Sequence, residues 1–341
     1  MNAQTEMNDR LAEAGTSPML DAGLSLRLAR WSDLEAVARL IYDVCEADGD
    51  TTVAVIPQEL QHQWQTPGFK LERDAFLVEN SDGRIVGYEE FFNEHEHVKL
   101  LTDGYVHPRF RGRGIGTVLL RAVEKRAREE IDLAESGVRV SLHSTTDLRD
   151  VAGRELHQHE GYQPVRFHWR MEIVLDGPPA APSFPDGIEL RPFVKGAHDV
   201  AVWQAQNESF RDHWGSHEVS FEEWQRSRFE DPEFDPALWV IAWEGDEVAG
   251  ISLNRYRMGI GWIRTLGVRH PWRKRGLGEA LLLHSFGEFY RRGTKTIGLG
   301  VDAQNPSGAT RLYQKVGMHA ASEFVTFEKE LRPGREPGAE S

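Results

Sequence analysis

In the second half of the chain, Arg273-Lys274-Arg275-Gly276-Leu277-Gly278 follows an apolar stretch ending in Val268 and precedes a run that begins Glu279-Ala280-Leu281-Leu282. A loop between a strand and a helix presents the helix's first N–H groups, whose partial positive charge attracts phosphate. Gly276 and Gly278 leave the main chain without Cβ atoms that would hold a pyrophosphate away. Arg273, Lys274 and Arg275 add charge-assisted donors. The spacing is that of neither the dinucleotide fingerprint nor the P-loop, which needs Lys-Ser/Thr after its last glycine. A phosphorylated ligand of a different type is therefore expected.

The same pattern occurs twice in the chain. Val106-His107-Pro108-Arg109-Phe110-Arg111-Gly112-Arg113-Gly114-Ile115-Gly116 stands in register with Val268 through Gly278, and each is followed by an apolar helix. Such self-similarity indicates two copies of one fold. Each copy starts with a short strand (Leu24 to Leu28; Ile188 to Arg191) and a helix with Asp near its start (Asp33; Asp199). A hairpin follows (Ala75 to Glu79 with Ile85 to Phe92; Leu238 to Trp243 with Val248 to Tyr256), closed by turns containing Gly and Asp. A strand (Lys99 to Val106; Trp262 to Val268) then enters the loop and its helix, before another strand (Val138 to Ser144; Thr296 to Asp302), a helix and a last strand. This is an α/β arrangement with a mixed sheet. Prolines and glycines in 176–187 deny both helix and ladder hydrogen bonds, so a linker is placed there, between an N-terminal domain (22–175) and a C-terminal domain (188–332). The first twenty residues read as a disordered or weakly helical arm, and 332–341 as a frayed tail.

The pattern Arg-x-x-Gly-x-Gly, met at Arg273, Gly276 and Gly278 and again at Arg111, Gly114 and Gly116, resembles the signature of the GNAT superfamily of N-acetyltransferases. In the second copy the likeness continues through Asn305, Ala309, Leu312, Tyr313 and Gly317-Met318, and it covers nearly all of residues 22 to 332. The tandem form resembles the mycothiol synthase-like acetyltransferases. The resemblance implies two tandem GNAT folds of class α/β (α+β), each a mixed, mostly antiparallel central sheet flanked by helices. It further implies acetyl-CoA as co-substrate. The pyrophosphate would lie on the amides of residues 273–279, with a second seat at Arg111, Gly112, Arg113, Gly114, Ile115 and Gly116. Backbone of Leu266 to Val268, and Val106 in the first copy, would meet the pantetheine, and the Val268 N–H would polarise the thioester carbonyl. Asn305 would contact the cofactor arm, and Tyr313 would protonate the departing thiolate.

Acetyl transfer to an amine needs a neutral amine, a polarised carbonyl and a proton for sulfur. For the base, Glu208 and Asp212 rank first among Glu208, Asp212, Glu218, Glu223 and Glu244, because 207–215 falls where this family builds its acceptor site. Trp203, Trp214 and Trp224 in the same region either line an apolar pocket or pack a core. Where a mycothiol synthase is expected to carry a substrate-side acid in its fourth strand, Trp262 to Val268 holds Arg264 and no carboxylate, which favours an acceptor bearing an anionic group. Aligning Gly161-Tyr162 with Gly317-Met318 puts Arg149 at the place of Asn305 and His157 at that of Tyr313. The first copy is thus expected to be structural or to bind CoA without turnover, with His157 as an exposed helix residue. The leading function is acetylation of a primary amine of a small molecule. Its alternatives are acetylation of an amino-thiol glycoside precursor and a non-catalytic acyl-CoA-binding regulatory role.

A formal net charge of -14 opposes binding to nucleic acid or an anionic membrane surface. The single cysteine, Cys45, excludes an intrachain disulfide and any multi-cysteine metal site, and reads as a buried helix side chain. His95 and His97 share a strand face without a third metal ligand, so no metal is expected. The acidic N-terminus resembles neither signal peptide nor anchor, and no apolar run reaches about 18 residues. A cytoplasmic monomer or homodimer is the resulting expectation.

Overall fold

The computed structural model describes residues 20–214, 218–305 and 307–337. The arm read in 1–19 and the tail end 338–341 lie outside the described residues. The elements of the first copy are β1 (Leu24–Leu28), α1 (Leu34–Ala47), α2 (Pro57–Trp64), α3 (Leu71–Asp74), β2 (Ala75–Asn80), β3 (Ile85–His95), β4 (Lys99–Val106), α4 (Ile115–Arg128), β5 (Val140–Asp147) and α5 (Val151–His159). There follow β6 (Gln163–Val174), β7 (Ile188–Pro192), α6 (Asp199–Phe210), α7 (Phe221–Phe229), β8 (Val240–Glu244), β9 (Glu247–Arg257), β10 (Ile260–Val268), α8 (Leu277–Arg291), β11 (Thr296–Asp302), α9 (Ala309–Lys315) and β12 (His319–Arg332).

These elements form two compact units, of which unit 2 is one contiguous segment and unit 1 is closed by a C-terminal segment of the chain. Unit 1 holds residues up to Arg166 together with Phe324 onward, and unit 2 holds Phe167–Glu323. In unit 1 the strands run β1-β2-β3-β4-β5-β12, and in unit 2 they run β7-β8-β9-β10-β11-β6. In both, only the fourth and fifth strands pair in parallel, and the sixth pairs antiparallel with the fifth. Each sheet therefore takes its last strand from the other repeat: β12 pairs with β5 from Phe324↔Asp147 to Arg332↔Val140, and β6 pairs with β11 from Thr296↔Val174 to Asp302↔His168. The division expected at 22–175 and 188–332 moves accordingly. The proline-rich segment 176–187 belongs to unit 2, where the Phe184 ring lies 6.1 Å from that of His284 on α8.

Packing explains why the loops sit where they do. Helix α1 buries Val37, Ala38, Leu40, Ile41, Val44 and Cys45, the spacing of one helical face. Helix α4 lies on β3 at Gly87, where a Cβ would come within 2.6 Å of Ile115 Cγ2 and 2.9 Å of Leu119 Cδ1. In unit 2 the matching residue is Gly250, where a Cβ would lie 3.0 Å from Leu281 Cδ1 and 3.1 Å from the Gly267 carbonyl oxygen. Gly87 pairs with Val106 and Gly250 with Val268. A bare position opposite the strand's last residue lets the following helix start directly over the strand end.

The parallel pairs open into clefts. In unit 2, β10 and β11 pair only at Gly261↔Ile297 and Trp262↔Gly298, after which the two strands diverge. In unit 1 the pairing of β4 with β5 continues from Lys99 to Thr102. Strand β10 also carries a bulge between Ile263 and Thr265, so that Arg264 is an extra residue against β9, a break absent from β4 over Leu100 to Val106.

Candidate active site

At the mouth of the unit 2 cleft, Gly276 is the N-cap of α8 with φ +84°, and no side chain caps the helix. The first-turn N–H groups of Leu277, Gly278 and Glu279 thus have no acceptor within the helix. In unit 1, Gly114 caps α4 in the same way with φ +77°. Two residues earlier the copies differ: Gly112 has φ +76°, while Lys274 takes φ +60°, a left-handed conformation that costs a residue with a side chain about 1–2 kcal/mol. Strain kept at a loop of this chemistry is typical of functional positions.

The three basic residues of the loop have separate fates. Arg273 donates from Nε to the Val268 carbonyl (3.1 Å) and from Nη2 to the Ser209 carbonyl (2.9 Å), bracing the strand end against α6. Arg275 reaches Glu244 at 3.1 Å. Lys274 is exposed and has no ion pair among the described residues, so it is the loop cation left for an anionic ligand.

Behind the loop lies a cavity of about 490 Å³ whose lining includes Leu266, Gly267 and Val268 of the open strand edge, with Asn305 and Tyr313 facing them. Gly267 is bare because a Cβ there would stand 2.9 Å from that of Ser209. Asn305 accepts a hydrogen bond from the Ser307 N–H (2.8 Å) and closes the turn before α9. The ring of Tyr313 packs among Leu282, Phe286 and Met318 and is only 7% exposed. Tyr313 lines the cavity, and its hydroxyl has no hydrogen-bond partner among the described residues. Burial pushes the phenol up to about 12, so it holds its proton at neutral pH.

Neither expected base reaches the cavity. Glu208 forms an ion pair with Arg269 at 2.6 Å. Asp212 is exposed, accepts from His270 at 2.9 Å and lies 3.5 Å from Arg273; the His270 contact leads in holding its carboxyl below the usual range. Glu244 accepts from the Trp272 indole (2.9 Å), and Glu218 and Glu223 face solvent. His213 lines the cavity, its value lowered chiefly by burial, as do two carboxylates, Glu279, which pairs with Lys315, and Asp302, which accepts from the Gln304 N–H. No residue spacing in the sequence marks His213. Ser209 also lines the cavity with a buried, unpartnered hydroxyl. Trp203 and Trp224 pack in a core cluster and Trp214 is exposed, so none of the three lines the cavity.

Unit 1 repeats the cradle with different chemistry. A cavity of about 390 Å³ is lined by Val106, Arg111, Gly112, Gly114, Ile115 and Gly116, while Arg113 stacks over Phe110 and Arg111 pairs with Asp48 at 3.0 Å. Against expectation His157 is buried, stacked on Phe327 with ring centres 5.0 Å apart. Its Nδ1 donates to the Gly153 carbonyl (2.7 Å), and burial lowers its value, so the ring is neutral and Nε2 carries a lone pair. The group at the place of Tyr313 is therefore a proton acceptor.

In unit 2, a diphosphate held at the α8 amides would lay its attached chain along the open edge of β10 toward Tyr313, the layout of a CoA-dependent acyltransferase. Comparison with known proteins fixes the family: the sequence model of the acetyltransferase (GNAT) family matches residues 40–160 and 200–318, taking in both glycine loops. The chain belongs to this family, and it is an acetyl-CoA-dependent N-acetyltransferase. It is 34% identical to the mycothiol acetyltransferase of Thermobispora bispora, over 62% of this chain and 70% of the relative. To that of Streptomyces scabiei it is 30% identical, over 87% of this chain and 90% of the relative. Among solved structures, a GCN5-related N-acetyltransferase from Sphaerobacter thermophilus superposes with a TM-score of 0.79 at 38% identity, covering 94% of this chain and 99% of that one. A tandem GNAT protein from the clavulanic acid biosynthesis pathway shares the fold (TM-score 0.70, 17% identity, 92% and 100% covered). No helix among the described residues is long and apolar enough to cross a membrane.

Proposed function

We propose that unit 2 transfers the acetyl group of acetyl-CoA to a primary amine of a small molecule by direct attack, and that unit 1 does not turn over. The observation that carries this reading is Tyr313, its hydroxyl unpartnered, lining the same cavity as the uncapped loop, set against the proton-accepting His157 of unit 1. Acetyl-CoA supplies the acyl group as a thioester. Lys274 and the α8 amides hold its pyrophosphate, and the Val268 N–H donates to the acyl oxygen as charge develops there. His213, neutral at pH 7, takes the proton of the incoming ammonium. As the amine nitrogen bonds the acyl carbon and the C–S bond breaks, Tyr313 gives its proton to sulfur, and its phenolate regains one from the nitrogen, which sheds its second proton in becoming an amide.

The similarity to mycothiol acetyltransferases supports a second reading, acetylation of an amino-thiol glycoside precursor. Against it stands β10, which offers Arg264 and no carboxylate from Trp262 to Val268.

Release of free thiol from acetyl-CoA with a panel of small amines tests the assignment to unit 2. Lys274→Glu is expected to raise the KM for acetyl-CoA about tenfold, the loss of one charge-assisted contact. Arg113→Glu, at the matching turn of unit 1, should leave thiol release unchanged. The reverse pattern would place turnover in unit 1.

A further inference from the structure

Beside the unit 2 cavity, behind its lining residue Arg264, arginines of α7 and β9 gather around Asp231. Arg264, the extra residue of the β10 bulge, lines the cavity and donates to the Ser227 carbonyl (2.9 Å) and to Asp231 Oδ2 (2.7 Å). Arg255 on β9 takes both oxygens of the same Asp231, at 3.1 and 2.9 Å. Arg228 on α7 follows directly after the Ser227 carbonyl that Arg264 holds, and no carboxylate pairs with it among the described residues. Its Nη2 donates to Gln206 Oε1 (3.2 Å) and its Nη1 to the Ser227 hydroxyl (3.4 Å), both neutral, and its Nε is buried without a partner. Two arginines thus share one aspartate, and a third stands beside them with neutral contacts only.

A guanidinium in this position is costly. Burial, with repulsion from Arg264 and Arg255 and only Asp231 opposing, lowers its value to about 9. An unpaired charge taken out of water destabilises a fold unless a partner supplies the opposite sign. The planar fork of arginine is matched to carboxylate and phosphate oxygens. Arg228 has only neutral hydrogen-bond partners among the described residues, so a purely cationic acceptor is repelled here and an anionic group is drawn in.

We propose that Arg228, with Arg264 and Arg255, binds an oxyanion carried by the acceptor, so that the enzyme acetylates amines bearing a carboxylate or phosphate ester. This rests on the reading of unit 2 as the transferring unit, and a neutral amino-thiol glycoside would leave the cluster unfilled.

Two readouts on the full chain test it. In the first, melting of the CoA-saturated protein is followed in inorganic phosphate, in acetate and in chloride at equal ionic strength. Phosphate or acetate should raise the wild-type midpoint above that in chloride, and Arg228→Gln should lose the difference. The response in each salt separates phosphate from carboxylate preference. In the second, thiol release is compared for glucosamine against glucosamine 6-phosphate and for butylamine against 4-aminobutyrate. One anionic member should be favoured by about tenfold or more in kcat/KM, as expected for a charge-assisted contact, and Arg228→Gln should collapse the preference. Arg228→Lys, which keeps charge and loses the fork, should retain part of it, and retained CoA binding shows that each variant is folded. If neither readout depends on Arg228, the proposal is overturned while thiol release with these amines leaves the transfer reading standing. Anion stabilisation that depends on Arg228 without thiol release from any amine would instead sustain the oxyanion site and contradict the transfer reading.

Discussion

At the scale of single residues, the transfer proposed for unit 2 depends on two protons held in opposite ways. Tyr313 keeps its proton because its phenol is buried, and His213 stays without one because burial disfavours its imidazolium. Lowering of the His213 value places the acidic limb of the rate below the ordinary histidine range. With the wild type, kcat/KM for the amine should rise with pH through a value under about 6.5. His213→Ala should remove that limb, lower turnover at pH 7 by about 100-fold and recover as rising pH deprotonates the amine itself. A pH–rate profile of the two proteins checks this, and an unchanged limb in the variant would reassign the base. The loop glycines were legible in the sequence because their types recur at fixed spacing, whereas Tyr313, replaced by His157 in the first copy, was expected only from the resemblance to the family. His213 was not legible, because a loop histidine has no periodicity. Glu208 and Asp212 were chosen by segment, and only the coordinates show Arg269 and His270 engaging them.

At the scale of elements, strand order and the two glycine-capped helices followed from alternation, turn chemistry and the repeat. Strands Leu24–Leu28, Lys99–Val106 and Thr296–Asp302 coincide with their sequence reading. The exchange of β6 and β12 did not follow, because period-2 alternation fixes which face a strand buries and says nothing about which sheet it joins. The bulge at Arg264 was hidden for a related reason: one inserted residue leaves composition unchanged while redirecting a side chain. The exchange has a direct consequence. A fragment of residues 1–175 lacks β12 and leaves β5 as an uncovered edge with Phe327 absent from the core. Such a fragment should fail to give a cooperative melting transition, and appending residues 324–337 through a flexible linker should restore one. A cooperative transition in the fragment alone would show that β12 is dispensable to unit 1.

At the scale of the whole molecule, the two units should respond differently to pH, because the acids that burial raises, Glu89, Glu90 and Asp103, lie in unit 1. Glu89, hydrogen-bonded by Thr102 at 2.6 Å, is pushed up to about 8 by burial. Glu90, bonded by Tyr88 and Gln63, is also raised by burial, and Asp103 rises to about 6. For an acid whose folded value exceeds its unfolded one, the native state binds more protons between the two values, so stability falls as pH rises across that window. Unit 1 should therefore lose stability from about pH 4.5 to 8, and Glu89→Gln should flatten the dependence. Melting curves at a series of pH values read this directly, and a midpoint that rises toward pH 8 would contradict it. Unit 2, by contrast, is the unit to which the proposed function gives the chemistry, through the buried phenol of Tyr313. The most direct test of that division of labour is thiol release by Tyr313→Phe at saturating acetyl-CoA. The predicted result is a fall in kcat of about 100-fold or more with the KM for acetyl-CoA unchanged, and an unaltered kcat would contradict the account.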